Sequence, residues 1–67
     1  MKYYVNKNAQ ADGYHEVHTA SCERLPDYEN RVYLGEFSNG NDAVRAAKLY
    51  YALADGCYYC CREAHTR

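Results

Sequence analysis

A chain of 67 residues holds one domain, 1–67. At that size folding buries only about 60% of the surface the unfolded chain exposes, so such domains usually recruit a disulfide, a metal or a partner chain. Eight basic against nine acidic residues leave a formal charge of −1, which excludes a global field able to draw the chain onto nucleic acid or an anionic membrane. No apolar run approaches the ~18 residues of a membrane span.

In chain order, Lys2 to Asn8, KYYVNKN, alternates Tyr3 and Val5 against Tyr4 and Asn6 and reads as a first strand. Asp12-Gly13 is a turn dipeptide, so Tyr14 to His18 returns as the second strand of a hairpin. In that strand Tyr14, Glu16 and His18 share one face, while His15 and Val17 share the other. Pro26 breaks the next segment into a loop, with room for one helical turn before it. Arg31 to Phe37, RVYLGEF, is the best third strand.

Ser38, Asn39 and Asn41 are equivalent candidates to cap a helix. On a wheel at about 100° per residue, Asp42 to Ala54 places Ala43, Val44, Ala46, Ala47, Tyr50, Tyr51, Leu53 and Ala54 on one broad arc, opposite Arg45 and Lys48. Gly56 then offers a left-handed stop. Nine tyrosines and no tryptophan imply that tyrosine rings supply much of the packing. The fold class is α+β: a small three-stranded antiparallel sheet, one helix packed across it, and a C-terminal CxxC knuckle.

Cys57-Tyr58-Tyr59-Cys60 has the two-residue spacing at which a tight turn aims two sulfurs at one tetrahedral ion. His18 and Cys22, an H-x-x-x-C at the end of the second strand, supply a second pair. The helix, running back along the sheet, is expected to bring the pairs together. His18, Cys22, Cys57 and Cys60 then form a closed Cys3His shell, the arrangement of a structural site, with Cys61 and His65 as alternative ligands. Closed shells with a histidine favour zinc over iron.

The stretches YVNKN, VHTASCERLP, NRVYLGEFSNGNDAVRAA and GCYYC, in that order, resemble the small Ada-like metal-binding modules, known from the N-terminal zinc domain of the Ada DNA-repair protein and from modules appended to bacterial nucleases. The resemblance covers Tyr3 to Cys60. It implies one zinc ion held by His18, Cys22, Cys57 and Cys60. The chain departs from those modules in its longer predicted helix with Tyr50 and Tyr51, in lacking an Arg-Pro before the first knuckle cysteine, and in adding Cys61 and His65.

Other chemistries compete for the same residues. An oxidising compartment would favour disulfides such as Cys22 with Cys57, but the N-terminus shows no apolar signal segment, and the expected location is cytoplasmic. A redox C-x-x-C sits after a strand at a helix N-terminus, whereas this one is expected to follow a helix. A zinc-bound thiolate remains nucleophilic, so a thiol-reactive alkyl acceptor is a further alternative. Tyr58 and Tyr59 offer rings for nucleobases and Arg62 and Arg67 charges for phosphate, although packing accounts for the tyrosines as well, and Glu23, Asp27 and Glu29 oppose the cations. With its cysteines consumed by a metal, the chain is not expected to be an enzyme. Its expected role is a non-catalytic, zinc-stabilised binding or scaffolding module, with nucleic acid a secondary partner class and no membrane role.

Overall fold

In the computed structural model, which describes residues 1–67, the three predicted strands are present, the first and third trimmed at their C-terminal ends and the second shifted by one residue: β1 Lys2–Asn6, β2 His15–Thr19 and β3 Arg31–Glu36. β1 lies between β2 and β3 and is antiparallel to both. Gly13 takes a φ of +88° in the β1–β2 connection, and Tyr14 donates its amide to Asp12 Oδ1 at 2.9 Å, so the Asp-Gly pair turns the chain as its chemistry dictates. The helical turn near Pro26 follows the proline as a 3-10 turn, Tyr28–Asn30.

β3 carries an irregularity that alternation alone does not reveal. Tyr3 pairs with Gly35 but Tyr4 pairs with Tyr33, so Leu34 is an extra residue and Gly35 bends the strand at φ +124°. Such a bulge shifts the side-chain phase by one residue. Val32, Leu34 and Phe37 all pack on the core, while Glu36 is exposed.

The helix α1 spans Gly40–Ala47, and Asn39 is its cap, with Oδ1 accepting the Asp42 amide at 2.9 Å. Its buried face is Gly40, Ala43, Val44 and Ala47, one stripe of small residues spaced for close contact with a sheet. The expected continuation to Ala54 does not occur. Leu49 is 87% and Tyr50 59% exposed, so the far end of the predicted arc has nothing to pack on. The amides of Leu49 and Tyr50 instead tighten onto Ala46 and Ala47.

The released segment supplies a fourth strand, β4 Ala54–Gly56, paired parallel to β2. The sheet is therefore mixed, in the order β3-β1-β2-β4, rather than three-stranded and antiparallel. Pairing gives the free edge of β2 its backbone partners, with His15 donating to Leu53 and Cys57 to Val17, both at 2.9 Å, and it buries all three β4 residues. Burial with backbone pairing outweighs the few helical bonds forgone. Gly56 is not a helix terminator either: a Cβ on it would lie 2.5 Å from the carbonyl oxygen of Cys61 and 2.9 Å from Ala64 Cβ.

The core is thin. Its buried members are Tyr3, the valines Val5, Val17 and Val44, the alanines Ala43, Ala47, Ala54 and Ala64, and Cys61. No helix is long and apolar enough to cross a membrane.

Candidate metal centre

His18 stands opposite Tyr4 and beside the Val5–Val17 pair, so it points to the face of the sheet away from α1, as the strand alternation predicts. It is 2% exposed. Three residues after the end of β2, the Cys22 amide folds back on the carbonyl of Thr19 at 3.2 Å, which turns the Cys22 side chain toward the end of the strand. Because β4 runs parallel to β2, its C-terminal end lies level with Val17 and Gly56. Cys57 consequently emerges next to His18. A turn closed by the Cys61 amide on the Cys57 carbonyl, 2.9 Å, then returns Cys60 to the same place.

The ligand atoms of His18, Cys22, Cys57 and Cys60 all lie within 4.8 Å of one another. A tetrahedral ion with bonds of about 2.0–2.3 Å to nitrogen and sulfur needs edges of about 3.5–3.8 Å, so the four are close enough to coordinate one metal ion. His18 Nδ1 stands 3.9 Å from Cys60 Sγ. The convergence foreseen from spacing is present, by a different route: a parallel strand, not a returning helix, carries the C-x-x-C to the histidine.

Backbone amides face two of the sulfurs. The Thr19 amide donates to Cys60 Sγ and the Arg24 amide to Cys22 Sγ, both at 3.4 Å. Burial, opposed by the Thr19 amide and reinforced by the neighbouring cysteines, raises the Cys60 thiol well above its usual range. Without a cation Cys60 therefore holds its proton, and a cation would take its place. Burial also keeps the His18 imidazole neutral, lowering its pKa from 6.5, with Arg24 assisting and Glu16 opposing. A neutral imidazole has a lone pair to offer.

Behind His18 lies a chain of charges. Glu16 Oε1 is 3.8 Å from His18 Nε2, and Glu16 Oε2 accepts from Arg67 Nη2 at 2.9 Å. Arg67 is further held by Asp12 at 2.9 Å and Gln10 Oε1 at 2.9 Å. Buried Asp55 accepts from the amide and hydroxyl of Thr66. This clamp was not legible in the sequence, since nothing in the spacing of Gln10, Asp12, Glu16 and Asp55 announces that they meet one arginine. It also engages Arg67, one of the two arginines offered as an alternative phosphate contact, with carboxylates of the chain itself.

The alternative ligands are engaged elsewhere. Cys61 is fully buried in the core, its Sγ 4.0 Å from Cys60 Sγ, and burial pushes its thiol up to about 11. His65 Nδ1 is 2.9 Å from the Gly56 carbonyl. His15 stacks on Tyr51 at 3.8 Å on the opposite face from His18. All four cysteines are free thiols. The C-x-x-C follows a strand rather than the helix expected. It nevertheless sits in a turn, with a raised Cys60 thiol rather than the lowered one of a redox pair. Tyr58 and Tyr59 are exposed, 44% and 66%, and so do not serve as core. Arg62 lies 4.5 Å over the first ring and Arg24 3.8 Å over the second.

No protein-family model, no curated protein and no solved structure matches the chain.

Proposed function

We propose that this chain is a zinc-stabilised binding or scaffolding module, with one Zn2+ held by His18, Cys22, Cys57 and Cys60. The observation that carries the reading is the convergence of those four ligand atoms within 4.8 Å, in a domain whose core is mostly alanine and valine. Three soft thiolates and a neutral imidazole are the donor set of structural zinc. When bound, the ion supplies cross-linking of β2 and its following turn to the segment after β4. The protein's own groups orient it: the Thr19 and Arg24 amides offset thiolate charge, and Glu16 faces the far nitrogen of His18. A closed shell leaves no coordination position for water or substrate, so the role assigned is non-catalytic.

Kinship with the Ada-like modules belongs to the same proposal. Native mass spectrometry of protein purified without added metal tests the reading. One zinc per chain with four reduced cysteines is the expected mass, whereas a metal-free chain, or one lighter by two disulfides, would end it.

A second reading, a thiol reagent, draws on one observation. A hollow of about 360 Å³ bounded by Glu23, Arg24 and Tyr59 opens onto Cys22 and Cys60. In it a zinc-bound thiolate would attack an alkyl carbon, forming a thioether and expelling the leaving group. Limited methylation followed by peptide mass spectrometry decides: labelling confined to Cys22 or Cys60 favours the reagent, and uniform slow labelling removes it.

A further inference from the structure

The metal cluster and the Arg67 clamp lie on the β2 and β4 half of the sheet face that looks away from α1. The β1 and β3 half of that face carries no such cover. There Tyr4 and Tyr33 are cross-strand partners, with rings 5.2 Å apart and inclined at 52°. Tyr33 is 49% exposed, and Tyr28, from the 3-10 turn leading into β3, is 82% exposed. The Arg31 guanidinium stands between rings, 4.8 Å over Tyr4 and 5.7 Å from Tyr28. With Lys7 and Glu29 these residues line a hollow of about 300 Å³.

Three features define what this hollow would accept. Its walls are tyrosine rings with no aliphatic side chain among them, a surface for stacking planar groups rather than for burying a greasy partner. Its charge is two cations against one carboxylate, opposite in sign to the chain as a whole. Arg31 Nη1 donates to the Pro26 carbonyl at 3.3 Å and its Nε is shielded from solvent, leaving Nη2 as the guanidinium nitrogen to meet an anion. Rings and an anion in alternation describe a nucleotide strand. Bases must be unstacked from a duplex to meet rings on a sheet.

We propose that the β1–β3 half of this face binds single-stranded nucleic acid, with bases stacked on Tyr28 and Tyr33 and a phosphate held by Arg31 and Lys7. The site is distinct from Tyr58 and Tyr59, whose rings pack against each other at 5.2 Å under Arg62 and Arg24. It does not depend on which metal the cluster holds.

The test is fluorescence anisotropy of labelled short oligo-dT, oligo-rU and a duplex of equal length, titrated at low salt with the protein as purified. Saturable binding of either single strand is expected. Tyr33→Ala and Tyr28→Ala should each weaken it about fivefold or more. Both side chains are exposed, and an unchanged thermal melt confirms that the variants fold. Lys7→Gln should lower the slope of log affinity against log salt by about 0.7. Absence of single-strand binding by the wild type, tighter binding of the duplex, or loss on Tyr59→Ala with both tyrosine variants unaffected would each overturn the proposal.

Discussion

The amide of Cys57 donates to the carbonyl of Val17 across 2.9 Å, the last rung by which β4 joins β2. The residue after Val17 is the ligand His18, and the donor of the rung is the ligand Cys57 itself. Strand pairing and ligand assembly are thus one event, and residues separated by most of the chain meet at a strand end.

On the proposed zinc reading, removal of the ion should therefore undo the fold and not merely the site. Structural zinc contributes about 10–16 kcal/mol in small domains, far more than a core of alanines and valines holds in reserve. Treatment with a strong chelator is expected to abolish the cooperative thermal transition. Cys57→Ser should weaken zinc binding by more than about a hundredfold, beyond the range of outer-shell changes. Cys61→Ala, which alters a core thiol, should keep one ion per chain. Competition against a chromophoric chelator measures the affinities. A chelated wild type that still melts cooperatively, or a Cys61→Ala protein without metal, would contradict the scheme.

Much of this was legible locally and little of it globally. The three antiparallel strands, the Asp12-Gly13 turn and the four clustered residues follow from periodicity and spacing, because each signal lies within a few residues. The C-terminal half misled for a physical reason. Tyr50, Leu53 and Ala54 sit at helical spacing, but whether they stay helical depends on the free edge of β2, some forty residues earlier. Ala54–Gly56 is too short to show a strand period of its own. The Gly35 bulge and the Arg67 clamp were hidden similarly, since both depend on partners in distant segments.

Glu16 is expected to matter to the metal without touching it. Its carboxylate lies between Arg67, at 2.9 Å, and His18 Nε2, at 3.8 Å, beyond hydrogen-bond length but near enough for its charge to favour a proton on that nitrogen and leave Nδ1 free to ligate. Changes to such partners typically cost about 10–100-fold in metal affinity. Glu16→Gln should show a loss in that range, with the Cys3His pattern of a cobalt-substituted spectrum retained. An unchanged affinity would mean that the carboxylate serves only to hold Arg67.

Acid should destabilise the domain. Burial holds His18 neutral in the folded chain, whereas the unfolded imidazole takes up a proton below about pH 6.5. In that window the unfolded state binds more protons, so the stability present above pH 6.5 falls as pH drops through the folded value. Protons returning to the thiolates act in the same sense on the ion. Zinc release followed with a fluorescent chelator should rise as pH falls below about 6.5, together with a falling melting temperature. Full retention of the ion down to about pH 4 would contradict the Cys3His site as a whole, since imidazole and thiolates alike would have to yield it to protons.

Gly56 separates two accounts of the turn that presents Cys57. If it ended a helix in the left-handed conformation, asparagine would serve nearly as well as glycine. In the structure its φ is not positive, and what it provides is room, with the Cys61 carbonyl oxygen 2.5 Å from where a Cβ would lie. That obstacle is backbone, part of the turn that closes the ligand pair, and cannot rotate aside. Gly56→Ala is expected to cost about 1–3 kcal/mol by overpacking. In a domain this small that is roughly 4–8 °C of melting temperature per kcal/mol, and zinc affinity should fall with it because Cys57 must shift. Gly56→Asn should be at least as damaging. Thermal melts of the two variants decide the matter, because an asparagine protein as stable as the wild type would restore the helix-stop explanation and remove the close contact as the reason for glycine.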